Sequence, residues 1–145
     1  LDCLALLVIR INKEKLSANE KIFIRLPFSV YFGWITVATI ANATTLFVDM
    51  LGSPVNLLGI SEVVWTVAIL LIGLAIGVVT TLKNRDVPYG LVIVWAYIGI
   101  LIKHLMDKPL PDGFNSQYPA VIATVIISLV VLVATLAYTQ LKAKK

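Results

Sequence analysis

Trp34, Ala38, Asn42 and Thr45 stand at i, i+4, i+8 and i+11, a spacing that brings them onto one stripe of a helix. An indole offers a flat apolar face, a carboxamide can both donate and accept, and an alanine between them leaves room. That combination suits non-covalent recognition of a flat apolar molecule with a polar edge, in a pocket lined mostly by apolar groups. The same residues also suit a structural task, in which Trp34 packs and Asn42 bonds a neighbouring helix for about 0.6 kcal/mol. Covalent chemistry has no comparable candidates. The chain contains no serine in a nucleophile elbow, no carboxylate cluster that could hold a metal and no glycine-rich phosphate loop, so it is read as a protein other than an enzyme.

Three further groups invite a chemical reading. Lys103-His104 lies near the end of an apolar stretch, where Lys103 can snorkel and His104 can face the interface. Alternatively, His104 is an axial ligand to a tetrapyrrole metal, although the chain has no second histidine to join it. Gly73-x3-Gly77, with Ala75 between them, is a small-residue pattern that predicts close helix packing inside a bundle, or less directly a homodimer contact. Leu136-x-Tyr138-x3-Lys142 fits a proposed cholesterol-contact pattern, but Val94-x2-Tyr97-x5-Lys103 fits it too, so the pattern discriminates nothing. Asn42-Ala43-Thr44 has the spelling of a glycosylation site within an apolar stretch, where no modification is expected.

The elements that must position these residues are membrane helices. The chain is 59% hydrophobic and 14% charged, well below the roughly 25% charged residues of ordinary soluble domains. Long apolar stretches over about 27–49, 62–82, 88–106 and 119–141 each reach spanning length. The opening LDCLALLVIR, about 1–10, is too short to span and has no signal-peptide features. It reads as the end of a helix whose beginning is missing, so the sequence is expected to be a fragment of a longer protein. The fold class is therefore an all-α membrane bundle of four full transmembrane helices plus a truncated first one, in one domain over 1–145.

Punctuation supports these limits. Pro27 suits the first turn of the second helix and Pro88 that of the fourth. Ser61 is a plausible N-cap, with Glu62 in the first turn of the third helix. Met50–Ser61 and Asp107–Tyr118 carry the Gly and Pro of loops, and Arg10–Arg25 is a charged, solvated connection. Ser29, Gly33 and Thr36 form a second face of the second helix, small enough to admit another helix closely. Arg25-x-Pro27-Phe28 followed by Trp34 is matched by Asp86-x-Pro88-Tyr89 followed by Trp95. The match reads either as a duplicated helix hairpin or as interface residues recurring on their own account.

W-x3-A-T-x2-N from Trp34 to Asn42 resembles the last helix of the TspO/MBR family, the tryptophan-rich sensory or translocator proteins. The first helix, the basic connection and the second helix are then similar to the family's fourth and fifth helices, over about the first third of the chain. Two features depart from the family pattern. Pro27 lies seven residues before Trp34, against a gap shorter by about one helical turn, and three more helices follow. The resemblance implies a longer, divergent member whose amino-terminal part is absent. It also implies a five-helix bundle that binds porphyrins or other hydrophobic ligands, with Trp34, Ala38 and Asn42 lining the cavity. The residues by themselves call for no cofactor; a bound porphyrin or other tetrapyrrole is what the resemblance implies.

The functional expectation is binding, with sensing or translocation, of a hydrophobic ligand such as a tetrapyrrole. The alternative is a structural or accessory subunit of a larger membrane complex. Expected partners are membrane lipid, a hydrophobic small molecule, and a second copy or a larger complex. Nucleic acid is not among them, because the net charge of +4 resides in short inter-helix segments. Cys3 is the only cysteine, so no internal disulfide can form. Asp49, Glu62, Asp107 and Asp112 sit at helix ends or in loops, which leaves no intramembrane proton relay.

Ten Lys and Arg residues alternate onto one side of the membrane and two, Lys103 and Lys108, onto the other. The positive-inside rule then places Arg10–Arg25 and the C-terminus on the cytoplasmic, or stromal or matrix, side. A cysteine at Ala143 in a Cys3→Ser background is expected to resist an impermeant thiol reagent added outside intact cells and to react once the membrane is opened. Labelling from outside would reverse the topology.

Overall fold

Within a bilayer, backbone N–H and C=O groups have no water to bond, so apolar stretches of spanning length must close their own hydrogen bonds as helices. A computed structural model describes residues 2–51, 62–106 and 118–143, and of 47–51, 62 and 143 the backbone alone. Met50 and Leu51, expected to open the 50–61 loop, are helical, while the rest of that loop, the Ser61 cap, most of the 107–118 loop and the last two lysines lie outside the described residues. The described chain is an all-α bundle of five helices: α1 (Asp2–Lys13), α2 (Leu26–Leu51), α3 (Glu62–Asn84), α4 (Val87–Leu105) and α5 (Pro119–Ala143). Four of them are long and apolar enough to cross a membrane. The 12 residues of α1 extend only about 18 Å.

The approach to α2 is exposed, as expected of a charged connection, but part of it is helical. Ser17 and Glu20 form a capping box, with Ser17 N–H donating to Glu20 Oε2 at 2.8 Å and Glu20 N–H to Ser17 Oγ at 3.4 Å. This cap starts a helical turn at Ala18–Glu20, which runs through a wider π turn at Lys21–Arg25 into α2. Pro27 is therefore inside a continuous helical segment instead of at its first turn. Proline has no N–H and its ring presses on the carbonyl four residues earlier. Helices absorb such a defect with a π bulge, and here Leu26 N–H reaches back to Lys21 O. The signal was present in Ser17-Ala-Asn-Glu20, a capping box read as loop.

The turn between α3 and α4 is equally specific. Arg85 has φ 49°, the left-handed conformation that ends many helices. Asp86 N–H then bonds back to Thr81 O at 3.2 Å. Asp86 caps α4 by accepting Tyr89 N–H at 3.2 Å, and Pro88 sits in the first turn behind it.

The helices assemble by close approach. α5 lies against both α3 and α4, α2 packs along α4, and α1 flanks α2. The face expected to admit another helix, Ser29, Gly33 and Thr36, is buried and receives α4. A Cβ on Gly33 would stand 2.9 Å from Val92 Cβ and 3.2 Å from the Tyr89 carbonyl. On the opposite side of α4, a Cβ on Gly90 would meet Leu136 Cδ2 at 2.6 Å and Thr81 Oγ1 at 2.9 Å. The core between these contacts holds Phe32, Tyr89, Ile93, Tyr97, Val125 and Leu132, with the Phe32 and Tyr89 rings 5.1 Å apart.

Polar contacts tie the start of α2 to the start of α4. Ser29 Oγ donates to Asp86 Oδ2 at 2.5 Å, both side chains being buried, and Arg25 Nη2 donates to Arg85 O at 3.1 Å. The two matched proline segments, at Arg25–Phe28 and Asp86–Tyr89, thus lie side by side at one end of the bundle. Asp86→Ala removes a helix cap and strands the Ser29 hydroxyl, so it is expected to lower stability by about 1–3 kcal/mol. Asp86→Asn keeps an acceptor and should lose less. Denaturant unfolding of both variants in the same detergent measures the difference.

Candidate functional site

Small residues on three helices recede from a common space. Ala41 and Thr44 of α2, Gly73 of α3 and Ala96 of α4 border a crevice of about 320 Å³, with Val37 and Tyr97 completing much of its wall. The α3 and α4 backbones are fixed nearby by Tyr97, whose hydroxyl donates to the Leu70 carbonyl at 2.5 Å. Thr44 Oγ1 is bonded to Ile40 O at 2.8 Å. The polar atoms of the wall are thus occupied within the protein, and the space is apolar. The crevice continues over Ile40, Thr44 and Ile69 into a second hollow of about 360 Å³ bordered by Ala43, Trp65 and Ile72.

Trp34, Ala38 and Asn42 take neighbouring but different positions. Trp34 is 56% exposed, Ala38 is half-buried, and Asn42 and Thr45 are exposed. None of them lines the crevice. Val37, Ala41 and Thr44 each precede a residue of the stripe by one position, about 100° around the helix. The stripe and the crevice are consequently adjacent faces of α2, meeting along the Ala38–Ala41 edge.

The two glycines of α3 play different parts. A Cβ on Gly77 would meet Ile93 Cγ2 at 3.0 Å and Leu132 Cδ2 at 3.6 Å, in the interior between α4 and α5. A Cβ on Gly73 would meet the Tyr97 hydroxyl at 3.0 Å and otherwise only Ile40 Cδ1 at 3.9 Å, because Gly73 opens onto the crevice. His104 is half-buried, with Nδ1 2.8 Å from Ile100 O and its ring edge-on to Tyr118 at 6.3 Å. Among the described residues, no three His, Cys, Asp or Glu side chains gather as a metal site.

Among the described residues, the crevice wall offers only the hydroxyls of Thr44 and Tyr97, both bonded within the chain. What it can do is hold an apolar molecule by shape. Periodicity on α2 alone did not single out Val37, Ala41 and Thr44, because a cavity depends on how three helices diverge. Asp86 stands out in the sequence only within the matched proline segments, although an acidic residue two positions before Pro88 is a legible helix cap.

The family described as TSPO-like protein matches residues 1–138. The match runs through all five helices, well past the first third of the chain where Trp34–Asn42 lies. No curated protein and no solved structure matches.

Leucine at Gly77 has to displace Ile93 and Leu132 from the interior, whereas leucine at Gly73 can grow into the crevice once Tyr97 shifts. Gly77→Leu is expected to lower the thermal midpoint in detergent clearly more than Gly73→Leu, with overpacking costs of about 1–3 kcal/mol or more. Ile69→Leu, which conserves volume, should change it least.

Proposed function

The chain belongs to the TSPO-like protein family, and on that basis we propose that it binds a hydrophobic small molecule between α2, α3 and α4. The observation that carries this reading is the apolar crevice left by Ala41, Gly73 and Ala96. Its 320 Å³ falls at the lower end of the roughly 300–1,000 Å³ typical of ligand pockets. The ligand reaches it sideways from the bilayer. A flat ligand larger than the crevice projects past Ala38 onto the outer stripe, where Trp34 stacks on it and Asn42 bonds its polar edge. A porphyrin or other tetrapyrrole has this form and is the ligand we assign. It is held by packing, since among the described residues no His, Cys or Met borders the crevice. Binding serves sensing or translocation, with the C-terminus on the cytoplasmic side.

A second reading is favoured by Asn42 itself. A carboxamide exposed on a spanning helix is poorly solvated by lipid, and a helix from another copy or another protein would cover it. In that case the chain is an accessory subunit and the stripe is its interface.

Protoporphyrin titration, followed by fluorescence of the three tryptophans, separates the two readings. Ala41→Phe fills the crevice and should reduce affinity at least about tenfold, equivalent to about 1.4 kcal/mol, with little change in the thermal melt. Ala38→Phe should obstruct the edge in the same way, and Asn42→Ala should cost about 0.5–1.5 kcal/mol. Unchanged affinity in all three variants removes the ligand assignment. Loss of a co-purifying protein on Asn42→Leu supports the subunit reading.

A further inference from the structure

The end of the bundle at which α2 and α4 begin gathers positive charge from two distant segments. Arg25 Nη2 donates to the Arg85 carbonyl at 3.1 Å, so the approach to α2 and the α3–α4 turn touch. Arg85 holds a left-handed φ of 49° and leaves its side chain exposed. Lys21 lies one turn before Arg25 and Lys83 just before Arg85, and both are exposed. Cationic side chains brought together repel one another unless an opposite charge joins them. Among the described residues the chain does not supply one, since neither Arg25 nor Arg85 forms an ion pair. Asp86 is buried with its oxygens on Ser29 Oγ and Tyr89 N–H, and Glu20 is turned to Ser17. Glu14, in the α1–α2 connection, is exposed and also forms no ion pair among the described residues. Residues 144 and 145, which follow α5 at the same end, are lysines.

A guanidinium has five N–H donors, and the contacts of Arg25 among the described residues use one of them. Its planar fork matches the paired oxygens of a phosphate. Beside it, Ile22, Phe23 and Ile24 are exposed between Lys21 and Arg25, Phe23 to 78%. Basic and apolar side chains interleaved at the end of a spanning helix suit the headgroup layer, where phosphate lies above acyl chain. We infer that Arg25 and Arg85 form a site for the phosphate headgroup of an anionic phospholipid, whose acyl chains lie on the Ile22–Ile24 surface. A zwitterionic lipid carries the same phosphate, but its ammonium group would stand among Lys21, Arg25, Lys83 and Arg85. The site therefore selects net negative charge. It is separate from the crevice, whose wall includes neither segment.

The full chain in neutral detergent is titrated with phosphatidylglycerol and with phosphatidylcholine of matched acyl chains, and bound lipid is counted by native mass spectrometry. Phosphatidylglycerol should bind about tenfold more tightly, as charge-assisted hydrogen bonds allow. Arg85→Gln leaves in place the backbone carbonyl that Arg25 meets, and should cut that preference to about threefold or less. Arg25→Gln should do the same, with a thermal melt in phosphatidylcholine confirming that each variant is folded. Lys142→Gln removes a charge of the same sign from the same end of the bundle and should keep the full preference. Equal losses in Lys142→Gln and Arg85→Gln overturn the site in favour of a diffuse surface potential. Equal binding of the two lipids by the unsubstituted chain, or a preference that survives Arg85→Gln, overturns it as well. Inorganic phosphate that displaces phosphatidylglycerol at equal concentration overturns the lipid assignment and makes this a free-anion site.

Discussion

The contact between α2 and α4 fixes the rest of the bundle. Lipid tails are as apolar as leucine, so membrane helices associate through packing and hydrogen bonds instead of escape from water. At one end, Ser29 on Asp86 and Arg25 on the Arg85 carbonyl tie the two helices through buried or carbonyl-directed bonds. One turn further, Gly33 lets α2 come against the Tyr89 carbonyl and Val92. Beyond that point Val37, Ala41 and Thr44 face a space instead of a helix. The crevice is the consequence of a tight contact at one end followed by small residues where the helices could otherwise interlock.

Asp86 serves several of these relations at once. It closes the turn after Arg85, caps α4 through Tyr89 N–H and accepts the Ser29 hydroxyl. A buried carboxylate without such donors would be costly. With them it sets how α4 starts and where α2 lies beside it. Pro27 contributes from the other helix: the π turn at Lys21–Arg25 re-aims the chain just before Ser29 and Gly33 reach α4.

The bundle was readable in the sequence because hydropathy and length decide spanning helices almost without tertiary context. The predicted 62–82, 88–106 and 119–141 differ from α3, α4 and α5 by no more than a couple of residues at either end. The small face at Ser29, Gly33 and Thr36 was readable for a related reason, since side-chain size alone limits how near a helix can come. The start of α2 differs from the expectation because an exposed, charged segment can still be helical, and Ser17 and Glu20 spell its cap. The crevice was not legible at all from one helix. Its wall is drawn from three segments far apart in the chain, and only their packing shows that Ala41, Gly73 and Ala96 share a space. Trp34, Ala38 and Asn42 were legible as a stripe, but the spacing carries no information about which neighbour that stripe meets.

The membrane also constrains how any occupant of the crevice can be selected. A ligand already dissolved in the bilayer gains little from the hydrophobic effect on entering an apolar space, because it has left water beforehand. What remains is dispersion with a closely fitting wall, which a disordered lipid chain satisfies less fully, and polar groups that lipid tails cannot match. The crevice wall has spent its polar atoms internally, through Tyr97 on Leu70 and Thr44 on Ile40. Discrimination must then arise at its margins. One margin with a polar side chain is the Ala38–Ala41 edge, where Asn42 stands next to the opening. On the proposed binding reading, selectivity resides in residues that border the cavity, while those that line it set only the size and shape of what can enter.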